Sequence, residues 1–194
     1  MRHKESTEAE LTQRIRFCIL RAAMRMELII EAAPSRAEYV RAVVAALAVA
    51  GLMTVSAWVR VPLPFSPVPV TLQTLVVLLA GFLATSQQAT AGMLIYLACG
   101  MFGAPIFAVP FGPTFGYILA FVAAPGIIAQ FRNVAWGMIT VTAIIWLLGA
   151  AWLAFWLPCS PVHAVLVGVL PFVPGDVVKM VIAYRIAQRI PRHA

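Results

Sequence analysis

The sequence predicts an all-α integral membrane protein, a bundle of about six transmembrane helices. Hydrophobic residues make up 62% of its 194 residues and charged residues 11%, less than half the roughly 25% found in soluble proteins. Between Ala42 and Pro174 only Arg60 and Arg132 carry a formal charge. About six spans fit in this length, because each needs roughly 17–25 residues.

The distribution of basic residues predicts the orientation of the bundle. Of 14 Lys and Arg residues, eight lie before Ala42 and three lie at or after Arg185. Basic ends are typical of cytoplasmic segments under the positive-inside rule, and they lack the interleaved aromatic residues of a nucleic-acid surface. With six crossings, both termini are predicted to be cytoplasmic and Arg60 to lie on the outer side.

Three regions are predicted along the chain: a basic cytoplasmic tail over residues 1–38, a membrane domain over 39–190 and a short tail over 191–194. Apolar residues recur at helical spacing between Leu11 and Ile30, beside several arginines. This pattern indicates a basic amphipathic helix on the membrane surface. The alternative, a true start at Met24 or Met26, stays open.

The first membrane helix is predicted from about Tyr39 to Val59, and it carries a stripe of small residues. Ala42, Ala46 and Ala50 recur every four residues, a spacing that lets another helix approach closely. The stripe either docks a partner subunit or packs within the bundle.

The remaining helices are separated by irregular segments rich in proline and glycine. Helices are predicted at about 71–84, 89–101, 115–130 and 134–157, followed by a short apolar segment at 163–170 and a last helix after Gly175. The segment 60–70 contains four prolines, which favours an extended chain. Such backbone is costly in lipid, so we expect the irregular segments to meet at the outer face, where they cap the bundle or line a cavity. The helix over 134–157 carries four tryptophans, of which the outer ones suit membrane interfaces.

Asp176 and Lys179 are the strongest candidates for a binding site. They lie three residues apart after an apolar run, so a helix would place them on one face. A charge deep in a bilayer costs roughly 2.5–3.5 kcal/mol or more, and such a pair needs a reason. Asp176 either caps the helix and pairs with Lys179, or the two bind a ligand; spacing alone leaves both open.

Five further polar residues are predicted near the outer mouth of a cavity. Thr71 and Gln73 begin one helix, and Thr114 and Tyr117 begin another. Their alternative role is structural: an N-cap by Thr71 and hydrogen bonds between helices for the others. Arg60 is either a contact for an anionic ligand group or a solvated interfacial arginine.

Several functional classes find no support in the sequence. It contains no phosphate-binding glycine loop with Lys-Ser/Thr, no His-Glu-x-x-His and no Gly-x-Ser-x-Gly, the motifs of nucleotide, zinc and serine-hydrolase sites. The three cysteines and three histidines lack metal-ligand spacing. One acid beside one lysine is a poor constellation for hydrolysis. No cofactor, metal or nucleic-acid partner is expected.

Three motifs resemble the BioY family, the biotin-specific S components of ECF-type vitamin transporters. They are Val-Pro-Leu-Pro-Phe-Ser-Pro-Val-Pro-Val-Thr-Leu-Gln-Thr-Leu at 61–75, Gly-Pro-Thr-Phe-Gly-Tyr at 112–117, and Gly-Val-Leu-Pro-Phe-Val-Pro-Gly-Asp-Val-Val-Lys at 168–179. The resemblance covers roughly 39–190. The chain departs from the family in a short apolar loop at 104–111 and in a turn at 85–88 without basic residues.

The resemblance implies a non-enzymatic protein of the bacterial inner membrane that captures extracellular biotin. It implies partners as well: a membrane scaffold subunit and a pair of ATPases. Asp176 would accept hydrogen bonds from the ureido N–H groups, and Lys179 would donate to the ureido oxygen. Two alternatives remain: an S component for another small vitamin, and a membrane enzyme that uses Asp176 as acid or base.

Overall fold

The computed structural model describes Arg21, residues 35–106 and residues 111–190. The chain divides into two compact units, Met1–Val40 and Arg41–Ala194. The predicted amphipathic helix of the tail lies outside the described residues. In the first unit, Ser35 and Glu38 form a reciprocal capping box: each side chain accepts from the other residue's backbone N–H, which stabilises the start of the first described helix.

Seven helices and one hairpin are described in these residues. Their bounds are α1 Arg36–Trp58, β1 Arg60–Leu63, β2 Ser66–Thr71, α2 Gln73–Leu83, α3 Ser86–Met101, α4 Phe115–Ile128, α5 Val134–Trp156, α6 Pro161–Gly168 and α7 Val173–Ala187. If the bent pair α6–α7 is counted as one segment, the six predicted helical segments are all present, and the prediction of a helical membrane protein is confirmed.

The helices differ in how much of a bilayer they can cross. Within the described residues, α1 and α5 are long and apolar enough to span a membrane, and there is a third span if α6 and α7, which meet at a bend of 54°, are counted as one. In contrast, α2 has 11 residues and α4 has 14, fewer than the roughly 17 of a full span. Two of the six predicted segments, α2 and α4, are therefore shorter than a full membrane span. Both are flanked by irregular segments.

The proline-rich segment is extended, as predicted, and it folds back on itself. β1 and β2 pair antiparallel, with Arg60 opposite Thr71 and an irregularity between Val61 and Leu63. Prolines occur in this hairpin because a two-stranded ribbon has only edge strands. The Ser66 hydroxyl donates to the Val167 carbonyl at 2.7 Å, which fastens the hairpin to α6. The hairpin pairing itself was not predicted.

Close packing of α4 against α5 and α6 holds the bend between α6 and α7. A Cβ atom on Gly149 would lie 2.1 Å from the Tyr117 ring, so only glycine lets this ring lie against α5. At its other end, the Tyr117 hydroxyl donates to the Gly168 carbonyl at 2.5 Å. Gly168 ends α6, and the hydrogen bond therefore fixes the chain just before it turns into α7.

Candidate functional site

A cavity of about 50 Å³ lies among the hairpin, α2, α4, α5 and the start of α7. We call it the inner cavity. Most of its wall is apolar or aromatic, and its charged groups come from α7. The lining residues used below are Thr71, Gln73, Thr114, Tyr117, Trp146, Phe172, Asp176 and Lys179.

Asp176 and Lys179 face this cavity and bind each other. The Lys179 ammonium donates to Asp176 Oδ1 at 2.8 Å, and the two residues are 3% and 6% exposed. A second donor reaches the other carboxylate oxygen: the Trp146 indole N–H lies 2.8 Å from Asp176 Oδ2. Each oxygen thus has one partner among the described residues, and a carboxylate offers about four acceptor positions. Unused acceptor and donor capacity remains beside the cavity.

Of the structural alternative for Asp176, the ion pair with Lys179 is present, but the helix cap is wrong. α7 begins at Val173, its N-cap is Phe172, and no side chain caps it. Pro174 lies in the first turn, where a missing N–H costs nothing, so the helix starts before the Pro174-Gly175 pair rather than after it. Asp176 lies inside the first turn and is directed at a lysine and a tryptophan instead of the helix's own backbone.

A second cavity of about 80 Å³, the outer cavity, shares Pro69, Thr71, Gln73, Thr114 and Ile118 with the inner one. Arg60, Tyr96 and Pro113 also line it. Gln73 lies on the boundary: its amide donates to the Tyr96 hydroxyl at 2.8 Å and its Oε1 accepts from the Thr71 hydroxyl at 3.2 Å. The predicted hydrogen bond of Gln73 to a neighbouring helix is therefore present, and Gln73 contacts both cavities as well.

Thr71, Thr114 and Arg60 occupy the outer half of the site. The N-cap position of α2 is Leu72, so the alternative that places Thr71 at the N-cap is wrong. The Thr71 hydroxyl nevertheless accepts from the Gln73 backbone N–H at the start of this helix, at 3.3 Å. Thr114 is the N-cap residue of α4 but makes no capping hydrogen bond through its side chain. Arg60 is exposed and forms no ion pair within the described part of the chain. The structure brings all three to the cavity wall.

The alanine stripe on α1 packs inside the chain. Ala46 and Ala50 are buried, and Ala42 is half-buried. A Cβ atom on Gly92 of α3 would lie 2.6 Å from the Ala46 carbonyl, which shows how closely α1 and α3 approach. This geometry favours internal packing over a docking surface.

The sequence analysis did not predict a role for Trp146. It counted this residue as one of four tryptophans in a helix and assigned it no partner. Trp146 lies near the middle of α5, not at an end of the helix. An indole N–H needs a hydrogen-bond partner when it is buried, so a mid-span tryptophan is itself a signal for a polar partner. Phe172 was also missed; its ring lies 6.2 Å from that of Tyr117 and closes the cavity beside the α6–α7 bend.

Metal binding has no support in the described residues, where no cluster of three or more His, Cys, Asp or Glu side chains is placed to hold an ion. The chemistry available in the cavity is hydrogen bonding by a buried carboxylate and ammonium within an aromatic wall. Such an arrangement can hold a neutral polar group that carries both donors and an acceptor.

Comparison with known proteins identifies relatives over most of the chain. The model of the BioY family matches residues 24–194, which extends beyond the predicted domain at both ends. A biotin transporter BioY of Thermotoga maritima is 34% identical over 159 residues, 73% of this chain and 90% of that protein. A biotin transporter BioY of Rhodobacter capsulatus is 29% identical over 69% of this chain and 83% of that protein.

A solved structure shares the fold. The crystal structure of the S-component for biotin from an ECF-type ABC transporter superposes with a TM-score of 0.70 at 21% identity, covering 81% of this chain and 94% of that one. The chain belongs to the BioY family, and the resemblance predicted from its motifs is confirmed.

Proposed function

We propose that this BioY-family chain is the biotin-binding S component of an ECF-type transporter, which captures extracellular biotin for uptake across the inner membrane. The observation that carries the proposal is the buried Asp176–Lys179 pair on the wall of an otherwise largely apolar cavity. The names of its relatives, biotin transporters, agree with this chemistry.

The ureido ring of biotin matches the unused hydrogen-bonding capacity of the pair. Its two N–H groups would donate to Asp176, whose oxygens each have one partner and can accept another. Its carbonyl would accept from Lys179, which has three protons and uses one for Asp176. A neutral ring that carries both donors and an acceptor leaves neither charged group unpaired, and an unpaired buried group is costly.

The two cavities suit the two ends of biotin. Each is small, about 50 and 80 Å³, against roughly 300–1,000 Å³ for typical ligand pockets. A vitamin would therefore occupy both, with the ring system in the inner cavity and the valerate carboxylate in the outer one. Arg60 would attract the carboxylate there, while Thr71, Gln73 and Thr114 would bond polar atoms between the two ends. Tyr117 would contribute its ring to the wall, because its hydroxyl is bound to Gly168.

Transport requires partners and a defined orientation. The concentration of basic residues at both ends of the chain supports cytoplasmic termini, with the hairpin and the outer cavity on the opposite side. A membrane scaffold subunit and ATPase subunits would supply the energy, since the sequence carries no nucleotide-binding motif of its own.

The docking role of the Ala42, Ala46 and Ala50 stripe has a direct test. Because Ala46 is buried against α3, Ala46→Trp should destabilise the protein and abolish biotin binding together with uptake. The matched control is Leu47→Trp on the same helix, since Leu47 is 54% exposed and accommodates an indole. If Ala46→Trp abolished uptake but retained normal binding, the stripe would be a docking surface after all.

Ligand identity is tested by titrating the purified protein with biotin, dethiobiotin, riboflavin and thiamine. We expect biotin to bind most tightly and dethiobiotin to compete less well, because it keeps the ureido group but lacks the thioether ring. Tight binding of riboflavin or thiamine instead of biotin would identify an S component for another vitamin. Recovery of chemically altered biotin would point to an enzyme.

A further inference from the structure

We propose that Trp146 is a positioning residue that holds the Asp176 carboxylate open for the ligand. The inference rests on the proposed binding function and adds a residue to it. The indole is the second donor to Asp176, at 2.8 Å from Oδ2, and it comes from α5 rather than from the helix that carries the ion pair. Trp146 also lines the inner cavity, within reach of a bound ligand.

The need for such a residue follows from the spacing of the ion pair. Asp176 and Lys179 are one helical turn apart, and Lys179 already contacts Oδ1 at 2.8 Å. In a buried, largely apolar cavity, an ammonium is drawn toward both oxygens of a neighbouring carboxylate. If Lys179 bound both oxygens, the Asp176 carboxylate would turn toward its own helix. It would then offer fewer acceptor positions to a ligand.

The indole N–H prevents Lys179 from binding both carboxylate oxygens, because it holds Oδ2 away from the ammonium. The carboxylate is then fixed between donors from two helices, α5 and α7, with one further acceptor position on each oxygen. A bond between charged and neutral groups is stronger than one between two neutral groups, so the orientation is well defined. Trp146 thereby keeps Asp176 ready for a ligand that brings its own N–H groups.

The experiment compares two tryptophans on the same helix. Trp146→Phe keeps an aromatic ring and removes the N–H donor. The matched control is Trp152→Phe, which removes a similar bond of 2.9 Å to the Gly112 carbonyl at a residue that lines neither cavity. We expect Trp146→Phe to weaken biotin binding about tenfold and Trp152→Phe to change it less than about twofold.

A double-variant cycle separates positioning from packing. In the Asp176→Asn background, Trp146→Phe should cause no further loss of biotin affinity, since the group that it positions is already altered. Equal losses in both backgrounds would show that the ring acts only as part of the wall and would overturn the proposal. Tighter binding by Trp146→Phe would overturn it as well, because the indole would then compete with the ligand.

A measurement without ligand keeps this inference distinct from the proposed function. The emission of Trp146 is obtained as the difference between the parent and Trp146→Phe, and again in the Asp176→Asn background. We expect its wavelength to shift when the carboxylate is replaced; an unchanged emission would overturn the positioning role. If the parent failed to bind biotin while this shift was present, only the proposed function would be wrong.

Discussion

The two ends of the site differ in how their polar groups are held. In the inner cavity, the Asp176 carboxylate accepts from Lys179 and from Trp146, each at 2.8 Å, and both charged residues are buried. In the outer cavity, Arg60 lies on a hairpin strand, exposed and without an ion pair in the described residues. The inner groups lie on two packed helices, whereas the outer groups lie where the hairpin meets the starts of α2 and α4.

This difference assigns different tasks to the two ends. Buried polar groups that are already paired admit a ligand only if it satisfies them, and a ligand that lacks the right donor leaves them unsatisfied at a cost of about 1–3 kcal/mol each. An exposed arginine gives a weaker interaction that salt screens. We therefore expect ligand selection at the inner end and a modest contribution to capture at the outer end.

The largest expected effect comes from replacing Asp176. Asp176→Asn keeps the shape but presents an amide donor where an acceptor is needed, and it leaves Lys179 buried without a counter-charge. Biotin affinity should fall at least about tenfold, or roughly 1.4 kcal/mol. Lys179→Met should cause a loss of similar size, measured in the same binding titration.

Exchange of the two charges is the sharpest control. A protein carrying both Asp176→Lys and Lys179→Asp keeps a possible ion pair at the same spacing but reverses the donor and acceptor positions seen by the ligand. We expect it to fold and not to bind biotin. Normal binding by the exchanged protein would show that the pair is structural, and the distinction between the two ends would be lost.

A smaller effect is expected at the boundary between the cavities. Gln73→Leu removes the bonds to Thr71 and Tyr96 and a polar group that faces both cavities. Hydrogen bonds between membrane helices contribute only about 0.6 kcal/mol on average, so thermal stability should change little. Biotin affinity should fall by about threefold to tenfold if Gln73 contacts the ligand.

Tyr96→Phe serves as the control for this position, because it removes the acceptor of the Gln73 amide and leaves the glutamine in place. Biotin affinity should fall less in Tyr96→Phe than in Gln73→Leu. Equal losses for both variants would mean that the bond between α2 and α3 is what matters, and Gln73 would have a structural role only.

The sequence predicted which residues belong to this site better than it predicted the contacts between them. Asp176 and Lys179 stood out because charge is rare in the apolar chain, and the proline-rich segment stood out because prolines exclude a helix. The Trp146–Asp176 bond joins residues 30 positions apart, and no local pattern encodes that distance. The hairpin register and the Ser66–Val167 bond depend on packing in the same way.

The alanine stripe shows where a local pattern is ambiguous. Ala42, Ala46 and Ala50 predicted a close helix contact, and Ala46 indeed lies against Gly92 of α3. The pattern specifies that a helix approaches but not which helix, since an internal helix and a partner's helix require the same small residues. Only the position of α3 separates the two.

The smallest expected effect is that of Arg60, and it tests the outer end directly. Arg60→Gln should weaken biotin binding by about twofold to fivefold, the range of an exposed ion pair, and should leave the binding of biotin amide unchanged because that ligand carries no charge. Raised ionic strength should reduce the difference between the parent and the variant, since salt screens exposed charges.

Arg132→Gln is the control, because Arg132 lies in the loop between α4 and α5, away from both cavities. Equal losses for biotin and its amide would exclude a carboxylate contact and leave the outer end without a charged group for the ligand.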